Sequence, residues 1–178
     1  MNFIKTDFKN VYLVENKIIK DNRGEFQKLY QKSLFKQKEI NINIDEHFFS
    51  VSRKGVIRGI HFQLPPHAQS KLVYVLSGKI IDVVIDLRKN SKTFMQYLAI
   101  ELSSDNRKAI FIPVGFAHGF QSLSDNTIII YSQSEEFNCE SDCGISPLSF
   151  DMDWPIGNYI ISDKDKNLIS LEDFDSPF

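Results

Sequence analysis

Gly55–Tyr74, GVIRGIHFQLPPHAQSKLVY, gathers Arg58, His61, Lys71, two glycines and the Pro65-Pro66 pair into twenty residues. Imidazole is suited to taking a proton near neutrality, and a nearby ammonium can stabilise the oxyanion that results. Arg58 and His61 lie three positions apart, so a regular strand would point them to opposite faces. A bulge at Gly59 would bring both to one cavity. Taken singly, a strand histidine is ordinarily a hydrogen-bonded structural group and a lysine a solvated charge. Their coincidence with special backbone marks the segment as a candidate site.

The second candidate is Ile112–Phe120, IPVGFAHGF, where His118 sits among Phe116, Ala117 and Phe120. It reads equally as a core histidine satisfied by a carboxylate such as Asp82 or as a ligand contact. Tyr131, at the end of the Ile-rich run TIIIYS, reads as packing or as an acid. The histidines do not make a metal set. His61 is followed by Phe62-Gln63 rather than by a second ligand, and His47 and His67 fall in polar or Pro-rich stretches. A metal-free site is expected. Cys139 and Cys143, in NCESDCG, are too few for a disulfide framework or a zinc site. They read as ordinary thiols of a reducing cytoplasm, with a local disulfide as the alternative.

Short runs rich in Ile, Val, Leu, Tyr and Phe must position these groups. Lys71–Leu76, Lys79–Leu87, Tyr97–Leu102, Ala109–Ile112 and Thr127–Ser132 are separated by Gly, Asn, Asp and Ser, including the turns Ser77-Gly78 and Asp125-Asn126. The pattern predicts antiparallel strands of a sandwich or barrel. One helix is predicted over Ser33–Glu39 with Ser33 as N-cap, and a short turn near Ser103 and Ser104. Alternating βα units, GxGxxG and P-loop motifs are absent, so a single all-β domain over residues 1–178 is expected. The chain carries 21 Lys+Arg against 23 Asp+Glu, a net charge of −2 that argues against a nucleic-acid-binding face. No apolar run spans a membrane and the N-terminus lacks a signal core, so a cytoplasmic protein without membrane contact is expected.

Asp21–Phe26 (DNRGEF), GVIRGIHFQ, PPHAQSKLVYVLSGKIIDVVIDLR, IPVGFAHGF and SDKDK occur in an order and spacing that resembles the RmlC-like family of dTDP-4-dehydrorhamnose 3,5-epimerases, from about Phe8 to Phe178. The resemblance implies a cupin-like jelly-roll barrel (a double-stranded β-helix) with a few short helices. It also implies a homodimer whose N-terminal strands cross to the partner, and no metal or organic cofactor. The implied substrate is a nucleotide-diphosphate 4-keto-6-deoxyhexose, inverted at C3, C5 or both for deoxysugar and surface polysaccharide synthesis. On this likeness His61 matches the base and Asp165 its orienting aspartate. Lys71 matches the lysine at the enolate oxygen, and Tyr131 the acid across the sugar. Arg23, Phe26, Arg58, His118, Asp82, Phe137 and Ser50 match positions around nucleotide and sugar. Arg23, Arg58 and Lys71 are expected to converge on the diphosphate.

The chain also departs from the family pattern. Lys28 stands where an acidic residue is common, and Glu46–Ser52 (EHFFSVS) where the usual run resembles QDNHSRS. Phe137 replaces a usual tyrosine, and Asn138–Ser149 lacks the usual Trp and Asp. These changes leave the proton chemistry intact and open the choice of base. The alternatives are a C3-only or C5-only epimerase of a CDP- or GDP-linked sugar, a non-catalytic nucleotide-sugar-binding cupin and, more remotely, a metal-dependent cupin oxygenase.

Overall fold

Near-continuous apolar runs such as KLVYVL and KIIDVVIDL require strands that are covered on both faces, because a half-solvated strand alternates apolar with polar residues. The computed structural model, which describes residues 1–40 and 42–178, shows how that covering is achieved. One sheet orders β1 (Asn2–Lys5), β2 (Tyr12–Glu15), β10 (Lys108–Ile112), β7 (Lys71–Ser77), β12 (Thr127–Gln133) and β5 (Glu46–Ser52). The other orders β13 (Asp142–Gly144), β6 (Ile57–Gln63), β11 (Phe116–Ser122), β8 (Lys79–Asp86) and β9 (Tyr97–Ser103). β3 (Ile18–Asp21) and β4 (Gly24–Gln27) form a separate hairpin. Pairing is antiparallel, and the sheets face each other across an apolar interior, as in a jelly roll.

Residue parity assigns each side chain to a layer. Val73, Val75, Ile110, Ile112 and Ile129 point inward and meet Ile80, Val84, Phe116 and Phe120 of the facing sheet. The alternate residues Leu72, Tyr74, Ala109 and Phe111 point outward, where Phe35, Ile40 and Ile42 cover them. Val83, Ile85 and Ala117 on the other outer face lie under Trp154, Ile161, Leu171 and Phe174 of the C-terminal segment. Full burial of each such side chain is worth about 1.5–3 kcal/mol, so the two coverings are as much a part of the core as its interior.

The predicted helix is shorter than Ser33–Glu39: α1 spans Lys32–Lys36, its N-cap position is Gln31, and Ser33 makes no cap. Burial of Phe35 fixes this turn against the sheet, and Glu39 leaves it at φ 60°. A second helix, α2 (Asp163–Lys166), was not foreseen. Its signal is Ser162, whose Oγ accepts a 3.1 Å bond from the Asp165 amide.

The bulge expected at Gly59 is present. His118 faces His61 and Phe120 faces Arg58, so Gly59 and Ile60 together oppose Gly119. Gly59 has φ +115°, and a Cβ there would lie 2.7 Å from Gly119 Cα and 2.8 Å from the His118 carbonyl oxygen. The approach is backbone on backbone, with no flexible group able to yield. Gly59→Ala is expected to cost roughly 2–4 kcal/mol, read from urea unfolding midpoints. A midpoint equal to the parent's would contradict this account.

Candidate active site

A cavity of about 690 Å³ opens between the sheets, where the inward positions change from apolar to polar. His61 and Arg58 enter from β6 and His118 from β11, while Lys71 enters from β7, Tyr131 from β12 and Ser50 from β5. The bulge gives Arg58 and His61 a common cavity, the outcome the sequence reading allowed for.

His61 Nε2 lies 2.8 Å from Asp165 Oδ1, and Asp165 Oδ2 accepts a 3.3 Å bond from the Gly59 amide. Asp165 is 4% exposed. Burial would raise its carboxyl, but the His61 ring and the Gly59 amide outweigh that and hold it below the usual carboxylate range. An ionised carboxylate can only accept, so His61 Nε2 carries the proton and Nδ1 keeps the lone pair of a base. Lys71 is buried and its Nζ donates to the His61 carbonyl oxygen at 3.2 Å. Desolvation lowers its pKa to about 8, against the opposing pull of Asp142 and Asp82.

Tyr131 is also buried, and desolvation pushes its phenol well above the usual value. Its hydroxyl is 3.4 Å from Ser50 Oγ, and its ring stacks on Phe48. His118 is satisfied by a carboxylate, as one of its two readings had it. It lines the cavity while its Nε2 lies 2.7 Å from Asp82 Oδ2. Asp82 itself stands behind His118 rather than on the wall, which corrects its expected place beside the substrate. Arg58 reaches the rim, its Nε donating to Ser52 Oγ at 3.0 Å and its Nη2 to the Val51 carbonyl at 3.2 Å. Phe137 lines the cavity with 60% of its surface exposed.

Arg23 and Phe26 are not among the residues lining this cavity. They belong to the β3–β4 hairpin, which pairs only with itself and is tied to the body by the Glu25–Arg107 ion pair and Gln27. Arg23 is spent on Asp21, its Nη2 lying 2.6 Å from Oδ2. The expected convergence of Arg23, Arg58 and Lys71 is therefore reduced to the last two within one chain. Lys164, beside Asp165 and ion-paired with Asp142, adds a cation that sequence reasoning missed. Also missed were Gln63, Gln69, Gln133 and Phe48. Gln63 and Gln133 lie two positions beyond His61 and Tyr131, a strand spacing that could have found them. Cys139 and Cys143 are free thiols. Among the described residues no helix is long and apolar enough to cross a membrane, and no group of three His, Cys, Asp or Glu could hold a metal ion.

This arrangement can move a proton. A carboxylate-held imidazole from one sheet and a phenol from the other line one cavity, together with a buried lysine of depressed pKa. The family model described as dTDP-4-dehydrorhamnose 3,5-epimerase matches residues 5–173. An enzyme of that name from Shigella flexneri is 39% identical over 172 residues, 94% of each chain. The crystal structure of the Bacillus anthracis enzyme, with TDP and PPi bound, superposes with a TM-score of 0.92 at 37% identity, covering 95% of this chain and 98% of that one. The Legionella pneumophila enzyme in complex with dTDP-4-keto-L-rhamnose gives 0.92 at 36% identity, covering 98% and 94%.

Lys71 also has a consequence for stability. Its pKa falls from 10.5 to about 8 on folding, so between those values the unfolded chain holds more protons than the folded one. Stability contributed at this position therefore rises with pH across that window and is lowest below it. Relative to Lys71→Met, the parent should gain stability as pH rises from 8 towards 10.5, measured by chemical denaturation. A flat or opposite trend would refute the buried, partly discharged lysine.

Proposed function

The chain belongs to the dTDP-4-dehydrorhamnose 3,5-epimerase family, isomerases of nucleotide sugars, and from that premise we propose that its substrate is a dTDP-linked 4-keto-6-deoxyhexose inverted at C3 and C5. The observation that carries the reading is the His61–Asp165 pair on one wall of a cavity whose other wall holds Tyr131 and Lys71. The C4 ketone acidifies the adjacent C–H bonds. His61 Nδ1 takes the proton, and the bonding pair moves through the new C–C double bond onto the C4 oxygen. Lys71 supplies positive charge and a hydrogen bond to that oxygen, which the neutral ketone needs less. Tyr131, from the facing sheet, delivers its phenolic proton to the opposite side of the carbon, which inverts it. Solvent then restores the phenol and takes the proton from the imidazolium. No electrons are exchanged, so the step needs no redox partner.

Arg58 and His118 are the groups we assign to the diphosphate and sugar, and Phe137 and Ser50 to the wall the nucleoside meets. The relatives' names and bound molecules favour dTDP over the CDP- and GDP-linked alternatives, despite the changed Glu46–Ser52 run. We also propose that the chain works as one domain, in the cytoplasm, supplying a deoxysugar for surface polysaccharide. It pairs with a second copy. Phe49, Val51 and Leu76 leave apolar surface uncovered on the outer face of β5 and β7, and Ile19 and Phe26 do so on the hairpin. Pairing would cover this surface and let the hairpin carry Arg23 and Phe26 to the partner's cavity.

In heavy water the chain should place deuterium at C3 and C5 of dTDP-4-keto-6-deoxyglucose, followed by NMR. His61→Asn should slow exchange by about 10³-fold. Absence of exchange by the parent with dTDP, CDP and GDP sugars alike would sink the reading, and faster turnover of a CDP or GDP sugar would overturn the base. Light scattering should give twice the chain mass, and Phe49→Lys should shift the population towards monomer. A parent that is monomeric at micromolar concentration would refute the pairing.

A further inference from the structure

Phe48 stands directly across the β5–β12 ladder from Tyr131, and the two rings stack with centroids 4.8 Å apart and planes 15° from parallel. The edge of the His118 ring approaches Tyr131 from another side, with centroids 6.3 Å apart at 69°. His118 is itself pinned by Asp82 at 2.7 Å. The phenolic hydroxyl has a much weaker hold: its contact with Ser50 Oγ is 3.4 Å, beyond the range where a hydroxyl hydrogen bond fixes direction. Ring packing, rather than hydrogen bonding, therefore sets where the phenol points. One side of that packing is rigid because His118 is anchored. The ring stacked on the face of Tyr131 is Phe48, an edge-strand residue whose remaining surface opens into the cavity.

We propose that Phe48 is a positioning residue for Tyr131, holding the phenol where it delivers a proton to the face of the sugar opposite His61. This rests on the epimerase reading given above. The role follows from geometry. Tyr131 has two torsions to fix, its hydroxyl has no strong partner, and a parallel ring removes the swing that would carry the hydroxyl off the carbon. The stack also keeps water from one face of the phenol, in line with its burial-raised pKa. Abstraction by His61 does not involve Phe48, because His61 is held by Asp165, which the Gly59 amide holds in turn, away from β5. Loss of the stack should therefore separate two events that normally run together: exchange of the carbon-bound hydrogen with solvent, and inversion.

The test compares Phe48→Leu and Phe48→Tyr with the parent in heavy water, following deuterium at C3 and C5 and product stereochemistry by NMR. Phe48→Leu keeps an apolar group of related size but removes the stack. It should leave exchange within about twofold and slow inversion by about tenfold, the scale set by a ring-pair interaction. Phe48→Tyr keeps the stack and should restore inversion. If Phe48→Leu inverts as fast as the parent, or if exchange and inversion fall together, Phe48 has no separate hold on the acid and the proposal fails. Failure of Phe48→Tyr to restore inversion also overturns it. A parent that neither exchanges nor inverts overturns instead the epimerase reading beneath it.

Discussion

The bond between His61 and Asp165 joins the two halves of this molecule's organisation. His61 belongs to the sheet and Asp165 to the C-terminal segment that roofs the outer face of the same sheet. The carboxylate can be buried because the His61 ring and the Gly59 amide both donate to it. An isolated buried charge would cost far more than any packing nearby could return. The Gly59 amide is available to Asp165 because the bulge takes that peptide out of the regular ladder. The bulge that aims His61 thus also supplies a donor to the carboxylate that holds it, and Trp154, Leu171 and Phe174 hold the roof in place.

Charge placement elsewhere follows the same logic. The interior of the barrel carries polar side chains only where they meet one another or the cavity. His118 takes Asp82, and Lys71 faces the cavity with the His61 carbonyl as its one hydrogen-bond partner among the described residues. Asp82 Oδ1 is buried without a hydrogen bond among the described residues, so His118 bears most of the work of holding that carboxylate. Lys71 is a cation kept from water, ready to be stabilised by negative charge that forms beside it. A near-neutral chain can hold such a site because the relevant charges number a handful and sit inside.

Much of this was legible in the residues. Of the five strands read from sequence, β7, β8, β10 and β12 were plain because both of their faces are largely buried, and β9, an edge strand, through its apolar density alone. The bulge was legible because Arg58 and His61 can share a cavity only if Gly59 breaks the alternation. The early strands were less visible: β1 to β5 are short or lie at edges, and EHFFSVS mixes charge with exposed aromatics because only one of its faces meets the interior. The hairpin bearing Arg23 and Phe26 could not be placed from sequence, because a local Asp21–Arg23 pair and a motif position look alike until the cavity is seen. Lys164 and Asp142 come from segments with no apolar periodicity, and only the fold brings them together.

The edge position of β5 has a consequence for how such an enzyme can change. Glu46, Phe48 and Ser50 project into the cavity from an edge strand, while His61 and Asp165 stand on the other sheet and its roof. Substitutions along β5 can reshape what the cavity admits without passing strain through the ladder to the dyad. Phe48 apart, selection on what the cavity admits and selection on the His61–Asp165 pair therefore act on separate strands. A lineage can drift in the one while the other stays fixed.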